Sequence, residues 1–176
     1  FADTLFRADF QIDPEADGVL FVKQVENPQA FGVVVTDEKG AITEYVEKPE
    51  EFVSDLAMIG IYAFRDGLRL KMELQRLIDD NIIKGGEYQL PDALRNMTQA
   101  GLRFEPGTVD DWMDCGNKSA TVETNQRILE LTQHELVLPA DTTIENSLIL
   151  PPCHIGPGAV IRHSVVGPHV SVGTGT

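Results

Sequence analysis

Two short stretches carry charge in patterns that chemistry could use. In EYVEKPEE (44–51), Glu47 and Lys48 are adjacent at the end of a β-rich run, directly before Pro49. Neighbours on a strand point to opposite faces, but residues leaving a strand can both turn into a cleft. A Lys is a compact cation suited to a phosphate, and a Glu accepts hydrogen bonds from hydroxyls. Together they suit a sugar phosphate, and they serve equally well as an exposed strand end. In DDWMDCGN (110–117), Asp110, Asp111 and Asp114 surround the only Trp of the chain, and Gly116 permits a sharp turn. Carboxylates at a strand-to-helix turn could hold Mg²⁺, a hard ion that takes oxygen ligands and keeps several waters. Asp is also favoured at helix N-termini for purely structural reasons. In GGEYQLPD (85–92), Glu87 is a ligand candidate or, more simply, a helix-start acid.

The elements that must position these residues change character along the chain. Over 1–133, VLFVKQV (19–25) is a β-rich run. FGVVVTD (31–37) and AITEYVEK (41–48) flank the turn Glu38-Lys39-Gly40 and predict a hairpin. MIGIYAF (58–64) is nearly all apolar and predicts a strand buried on both faces. Leu70, Leu74, Leu77 and Ile78 predict a helix over 68–83, stopped by Gly85-Gly86. Pro91 to Gln99 predicts a second helix, with Pro91 in its first turn, and Lys118 to Leu131 a third. Strands alternating with helices give an α/β domain.

Over 134–176 the pattern is a repeat. LPADTTIENSLILPPCH (138–154) aligns with IGPGAVIRHSVVGPHVS (155–171), and VGTGT begins a third copy. Aliphatic residues recur at Leu138, Ile144, Ile149, Ile155, Ile161, Val166 and Val172, every five or six residues. That period suits no helix. It suits a solenoid that turns a corner every five or six residues and stacks its aliphatic residues inward. An unfinished third coil would present an apolar end, so self-association into a homo-oligomer is expected.

Composition narrows the partners. Fourteen Lys+Arg against 28 Asp+Glu give a net charge of −14, which argues against a nucleic-acid or anionic-membrane surface. No apolar run approaches the roughly 20 residues of a membrane helix. Cys115 and Cys153 lack metal-ligand spacing and read as free thiols of a reducing cytoplasm.

Taken in order, D-x-x-x-F, N-P-x-x-F-G-V-V, V-E-K-P, A-x-x-G-I-Y-x-F, G-E-x-x-L-x-D, W-x-D-x-G and the hexapeptide repeats resemble the sugar-1-phosphate nucleotidyltransferases. These include thymidylyl-, uridylyl- and guanylyltransferases, and SDLAMIGIYAF leans towards the first two. The resemblance implies the second half of a doubly wound, Rossmann-like domain over 1–133 and a short left-handed β-helix over 134–176. It implies transfer of a nucleotidyl group from an NTP to a sugar 1-phosphate, with pyrophosphate released and Mg²⁺ as cofactor. It puts metal binding on Asp3 and Asp114, sugar contacts on Gly32, Glu47 and Gly60, and the catalytic phosphate-binding cation on Lys48. The family's usual Gly before the first Asp is Ala2 here.

The family's Gly-rich nucleotide loop is absent from the sequence, and the chain alone is expected to be inactive. The opening FADTLFRADF then reads as the end of a central strand, with Asp3 and Asp114 expected to face one cleft. Two other readings stand beside this one. A non-catalytic regulatory subunit of the same fold would bind sugar phosphates or partners, though retention of Asp3, Lys48 and Asp114 favours the enzyme. A β-helix acyltransferase would need more coils than two, with His154, His163 and His169 lying on the repeat surface. Neither base nor sugar is named by these residues.

Overall fold

The apolar run 18–24 forms β2 (Gly18–Gln24), the most buried strand of a five-stranded mixed sheet. The hairpin expected over 31–48 is β3 (Gly32–Thr36) and β4 (Ile42–Glu47), antiparallel, with Asp37 Oδ1 accepting the Lys39 and Ala41 amides in the turn. β5 (Leu56–Phe64) and β6 (Phe104–Thr108) complete the sheet in the order β4-β3-β5-β2-β6. Only β2 and β6 run parallel. This computed structural model describes residues 3–133 and 136–176.

Helices α1 (Gly67–Asp79) and α2 (Leu90–Gln99) pack on each other, and α2 packs on β4. Leu94 and Met97 of α2 join Leu20, Val34, Tyr45 and Phe104 in one core cluster. A second cluster holds Ala16, Val19, Phe21, Ile59 and Val109, with Trp112 packed against it. The α/β class expected over 1–133 is present, built on a central mixed sheet. The sheet is mixed and largely antiparallel: β3 and β4 form a hairpin, while α1 and α2 lie in the chain between β5 and β6.

Other expectations change in detail. β5 holds the sheet's centre, but only Ala57 and Ile59 are fully buried, so 58–64 is half-buried rather than enclosed on both faces. Helix α1 ends at Asp79, not at Ile83. Asn81 takes φ +52° there, and the Ile82 amide reaches back to the Leu77 carbonyl, closing the helix without glycine. Gly85 and Gly86 instead form a tight turn between the bridged residues Lys84 and Glu87.

The chain divides into two compact units, Phe6–Trp112 and residues 3–5 with 113–176. The division precedes helix α3 (Lys118–Thr132), whereas the change in sequence pattern comes at 133/134. The reason is that α3 packs on the repeats: Asn125 Nδ2 donates to the His169 carbonyl at 2.9 Å, and Ser171 Oγ donates to Asn125 Oδ1 at 2.7 Å. β1 (Thr4–Arg7) and β7 (Asp111–Asp114) pair as a two-stranded sheet. The strand expected before Asp3 would occupy Phe1 and Ala2, which lie outside the described residues.

The repeats form β8 (Thr143–Glu145), β9 (Leu148–Ile149), β10 (Cys153–Ile155), β11 (Val160–Arg162), β12 (Val165–Val166) and β13 (Val170–Val172). They pair in parallel as β8 with β11, β9 with β12 and β10 with β13. The registers Thr143↔Val160, Leu148↔Val165 and Cys153↔Val170 each step 17 residues, the repeat length read from the sequence. This is the pairing expected of a β-helix coil. Ile155 and Ile161 are buried, with Ile149, Val166 and Val172 packed on them. Leu138 departs from the pattern: it is 43% exposed, and Leu136 takes the inward place. No described helix is long and apolar enough to cross a membrane.

Candidate functional site

In the first unit, the structure brings Gly32, Glu47 and Lys48 together at one end of the β3–β4 hairpin. Gly32 and Glu47 are direct cross-strand partners. The Glu47 carboxylate folds over the Gly32 backbone, so that a Cβ at position 32 would lie 2.7 Å from Glu47 Oε2 and 2.8 Å from Met58 Cε. Only glycine leaves that space open. Glu47 is exposed, and hydroxyl-bearing ligands can therefore reach its oxygens.

Lys48 follows with φ +44°, a left-handed conformation that a residue before proline rarely adopts. Its amide is held by the Phe31 carbonyl at 3.1 Å, and Pro49 beyond it is buried. These two anchors impose the conformation, which costs on the order of 1 kcal/mol. Among the described residues no carboxylate or carbonyl holds the Lys48 ammonium. Lys23, by contrast, is committed to structure: its Nζ donates to the Val109 and Asp110 carbonyls at 3.2 and 2.6 Å.

Gly60 sits on β5, two residues beyond Met58. Leu20 pairs with Tyr62 but Val22 with Met58, so β5 carries extra length between them. Gly60 lies in this bulge at φ +80°, which an L side chain would disfavour. The bulge lets Met58 reach Gly32 while Tyr62 still packs on the helix-side core. Tyr62 has its pKa raised above the usual phenol value, first by burial and then by the negative charge of Glu47. Trp112 meets Phe31 edge-on, with centroids 5.1 Å apart, and backs the strand that Gly32 begins. Its indole N–H is enclosed without an acceptor among the described residues. Sequence reasoning missed Met58 and Tyr62, because a core residue and a pocket wall share the same apolar signature.

In the second unit, backbone pairing sets Asp3 opposite Cys115, the residue after Asp114: the Cys115 amide donates to the Asp3 carbonyl at 2.8 Å. Asp114 is fixed on two sides. Its Oδ1 accepts the Gly116 amide at 3.0 Å, and its carbonyl accepts the Thr124 hydroxyl at 2.8 Å. Asn117 then caps α3 through the Ala120 amide at 3.0 Å. Asp3 is exposed. Two carboxylates at neighbouring strand ends are hard oxygen donors that leave other positions to water, a donor set that fits Mg²⁺.

The remaining candidates resolve into structure. Asp111, expected near the metal site, is buried in an ion pair with Arg7 at 2.6 Å. Glu87 closes the turn with Lys84 through paired backbone hydrogen bonds. His169 pairs with Glu130 at 3.0 Å on the face of α3.

The chain as a whole is similar to known proteins. A profile of the family described as "Nucleotidyl transferase" matches residues 6–131. The chain is similar to a glucose-1-phosphate thymidylyltransferase of Streptomyces antibioticus, with 28% identity over 169 residues, covering 88% of this chain and 46% of that protein. It is similar to the UTP–glucose-1-phosphate uridylyltransferase AglF of Haloferax volcanii, with 31% identity over 139 residues, covering 74% and 55%. A solved structure of a nucleoside-diphosphate-sugar pyrophosphorylase from Vibrio cholerae shares the fold, with a TM-score of 0.58 and 20% identity, covering 69% of this chain and 52% of that one. The chain thus spans about half the length of these relatives.

Proposed function

The chain belongs to the nucleotidyl transferase family, and on that premise we propose that it supplies the sugar-phosphate side of a sugar-1-phosphate nucleotidyltransferase. The reaction is NTP + sugar 1-phosphate → NDP-sugar + pyrophosphate. An oxygen of the sugar phosphate attacks the α-phosphorus, a new P–O bond forms, and the bond to pyrophosphate breaks. No covalent enzyme intermediate is required, so positioning and charge neutralisation do the catalysis.

The observation that carries this reading is the Gly32–Glu47–Lys48 corner. The close approach at Gly32 leaves the exposed Glu47 carboxylate lying over half-buried backbone, where it would accept hydrogen bonds from sugar hydroxyls. The Lys48 ammonium, which has no carboxylate or carbonyl partner among the described residues and whose backbone is anchored by Phe31 and Pro49, is the cation for the phosphate. Gly60 shapes the neighbouring wall through its bulge. Asp3 and Asp114 would hold Mg²⁺, which would offset the charge that develops on the phosphates. The left-handed coil sense of the repeats, a homo-oligomer built through 138–176 and a cytoplasmic setting belong to the same proposal.

Titration with glucose 1-phosphate, followed by calorimetry and by amide chemical shifts, tests it. Saturable binding that shifts the Gly32, Glu47 and Lys48 signals is expected. If glucose, mannose and galactose 1-phosphates all leave those signals unmoved, the reading is wrong.

A further inference from the structure

Strand β4 lies at the edge of the sheet, yet it ends in the residues that need the most exact placement, Glu47 and Lys48. An edge strand has unpaired backbone groups on one side. Helix α2 supplies what is missing there. Arg95 Nη2 donates to the Tyr45 carbonyl at 2.5 Å. The Tyr45 hydroxyl, on a side chain with no exposed surface, hydrogen-bonds Thr98 Oγ1 at 2.8 Å. Tyr45, two residues before Glu47, is thus held at both backbone and side chain by one helix.

The arginine that does this is itself held. Its Nη1 pairs with Asp92 Oδ1, one helical turn earlier, and Asp92 is only 6% exposed. Lys84 Nζ donates to the same oxygen at 2.6 Å, which ties the 84–87 turn to the network. Asp92 Oδ2 is enclosed with no donor among the described residues. A buried carboxylate with one oxygen shared by two cations is an expensive way to stabilise a helix-on-sheet contact that Leu94 and Met97 already make. What it provides beyond burial is a fixed orientation of the guanidinium fork.

We propose that Asp92 and Arg95 are positioning residues for the sugar-phosphate corner: they set the end of β4, and so the placement of Glu47 and Lys48. This rests on the sugar-phosphate reading above, but its test does not depend on that reading alone. Hydrogen exchange of the Lys48 amide reports the placement without ligand, and glucose 1-phosphate titration reports its consequence. In Arg95→Met, the Lys48 amide should exchange about tenfold faster while the Val19 amide, on the far strand β2, keeps its rate. The glucose 1-phosphate Kd should rise about tenfold. Arg95→Lys, which restores charge but not the fork, should recover part of both effects, and Asp92→Asn should follow Arg95→Met. Should Arg95→Met fail to fold, Arg95→Lys and Asp92→Asn carry the same comparison. Unchanged Lys48 exchange in the folded variants overturns the proposal, as does a uniform rise across β2 and β4, which would mark a general stability role. A parent protein that binds none of glucose, mannose and galactose 1-phosphates overturns the functional reading instead, and the exchange comparison still decides the positioning role.

Discussion

Glu47 occupies the space that a side chain at Gly32 would require, with its Oε2 2.7 Å from where that Cβ would stand. The two residues are paired across β3 and β4, so the glycine and the carboxylate form a single feature. Gly32→Ala should therefore displace Glu47 without unfolding the sheet, because the clashing atoms are the ends of flexible side chains. A stability loss of about 1 kcal/mol is expected, with a tenfold or larger weakening of glucose 1-phosphate binding, about 1.4 kcal/mol. Denaturant melts and calorimetry read the two. Equal affinity in the variant would remove Gly32 from the site.

Lys48 separates function from stability more sharply. Lys48→Ala should raise the sugar-phosphate KM and lower kcat in the active enzyme, costing about 2–4 kcal/mol of transition-state binding. Lys48→Gly removes the same cation but accepts φ +44° freely. It should raise stability by up to about 1 kcal/mol while binding is lost. A glycine variant that is both less stable and fully competent in binding would refute the assignment.

Asp114 provides the metal test. Asn at this position can still accept the Gly116 amide through its carbonyl oxygen, so the turn should persist. Mg²⁺ should raise the melting temperature of the parent by mass action, and this increase should vanish in Asp114→Asn. Millimolar Mg²⁺ that leaves the parent's melting temperature unmoved would count against Asp3 and Asp114 as ligands.

Tyr45 gives a pH signature. Burial pushes its pKa up to about 12, against smaller lowering effects of the Thr98 hydrogen bond and the Arg95 charge. The unfolded chain releases this proton near the ordinary phenol value of 10.0 and the folded chain only near 12. Between those values the unfolded state binds fewer protons, so stability falls as pH rises through the window. Tyr45→Phe should flatten that alkaline limb. An unchanged slope between pH 10 and 12 would show that Tyr45 ionises as freely folded as unfolded.

Much of this protein was legible in its residues because the signals are local. The 17-residue repeat determined the pairing register of 138–172 in advance, since stacking aliphatic residues on the previous repeat admits only one alignment. The hairpin around Glu38-Lys39-Gly40 and the helices at 90–99 and 118–132 follow from turn chemistry, capping and spacing. Gly32, Glu47, Lys48, Gly60, Asp3 and Asp114 were nominated by motif order. Only the tertiary structure decided how each is placed. Cross-strand register put Glu47 onto Gly32, and a bulge of β5 brought Met58 alongside. Pairing at the strand ends set Asp3 beside Cys115 and left Asp111 to Arg7. Asn81, no weaker a helix former than many, ended α1 by taking a left-handed conformation. The grip of Arg95 on Tyr45 spans 50 residues. No local pattern carries a contact of that separation, because it exists only once a helix has packed on a strand.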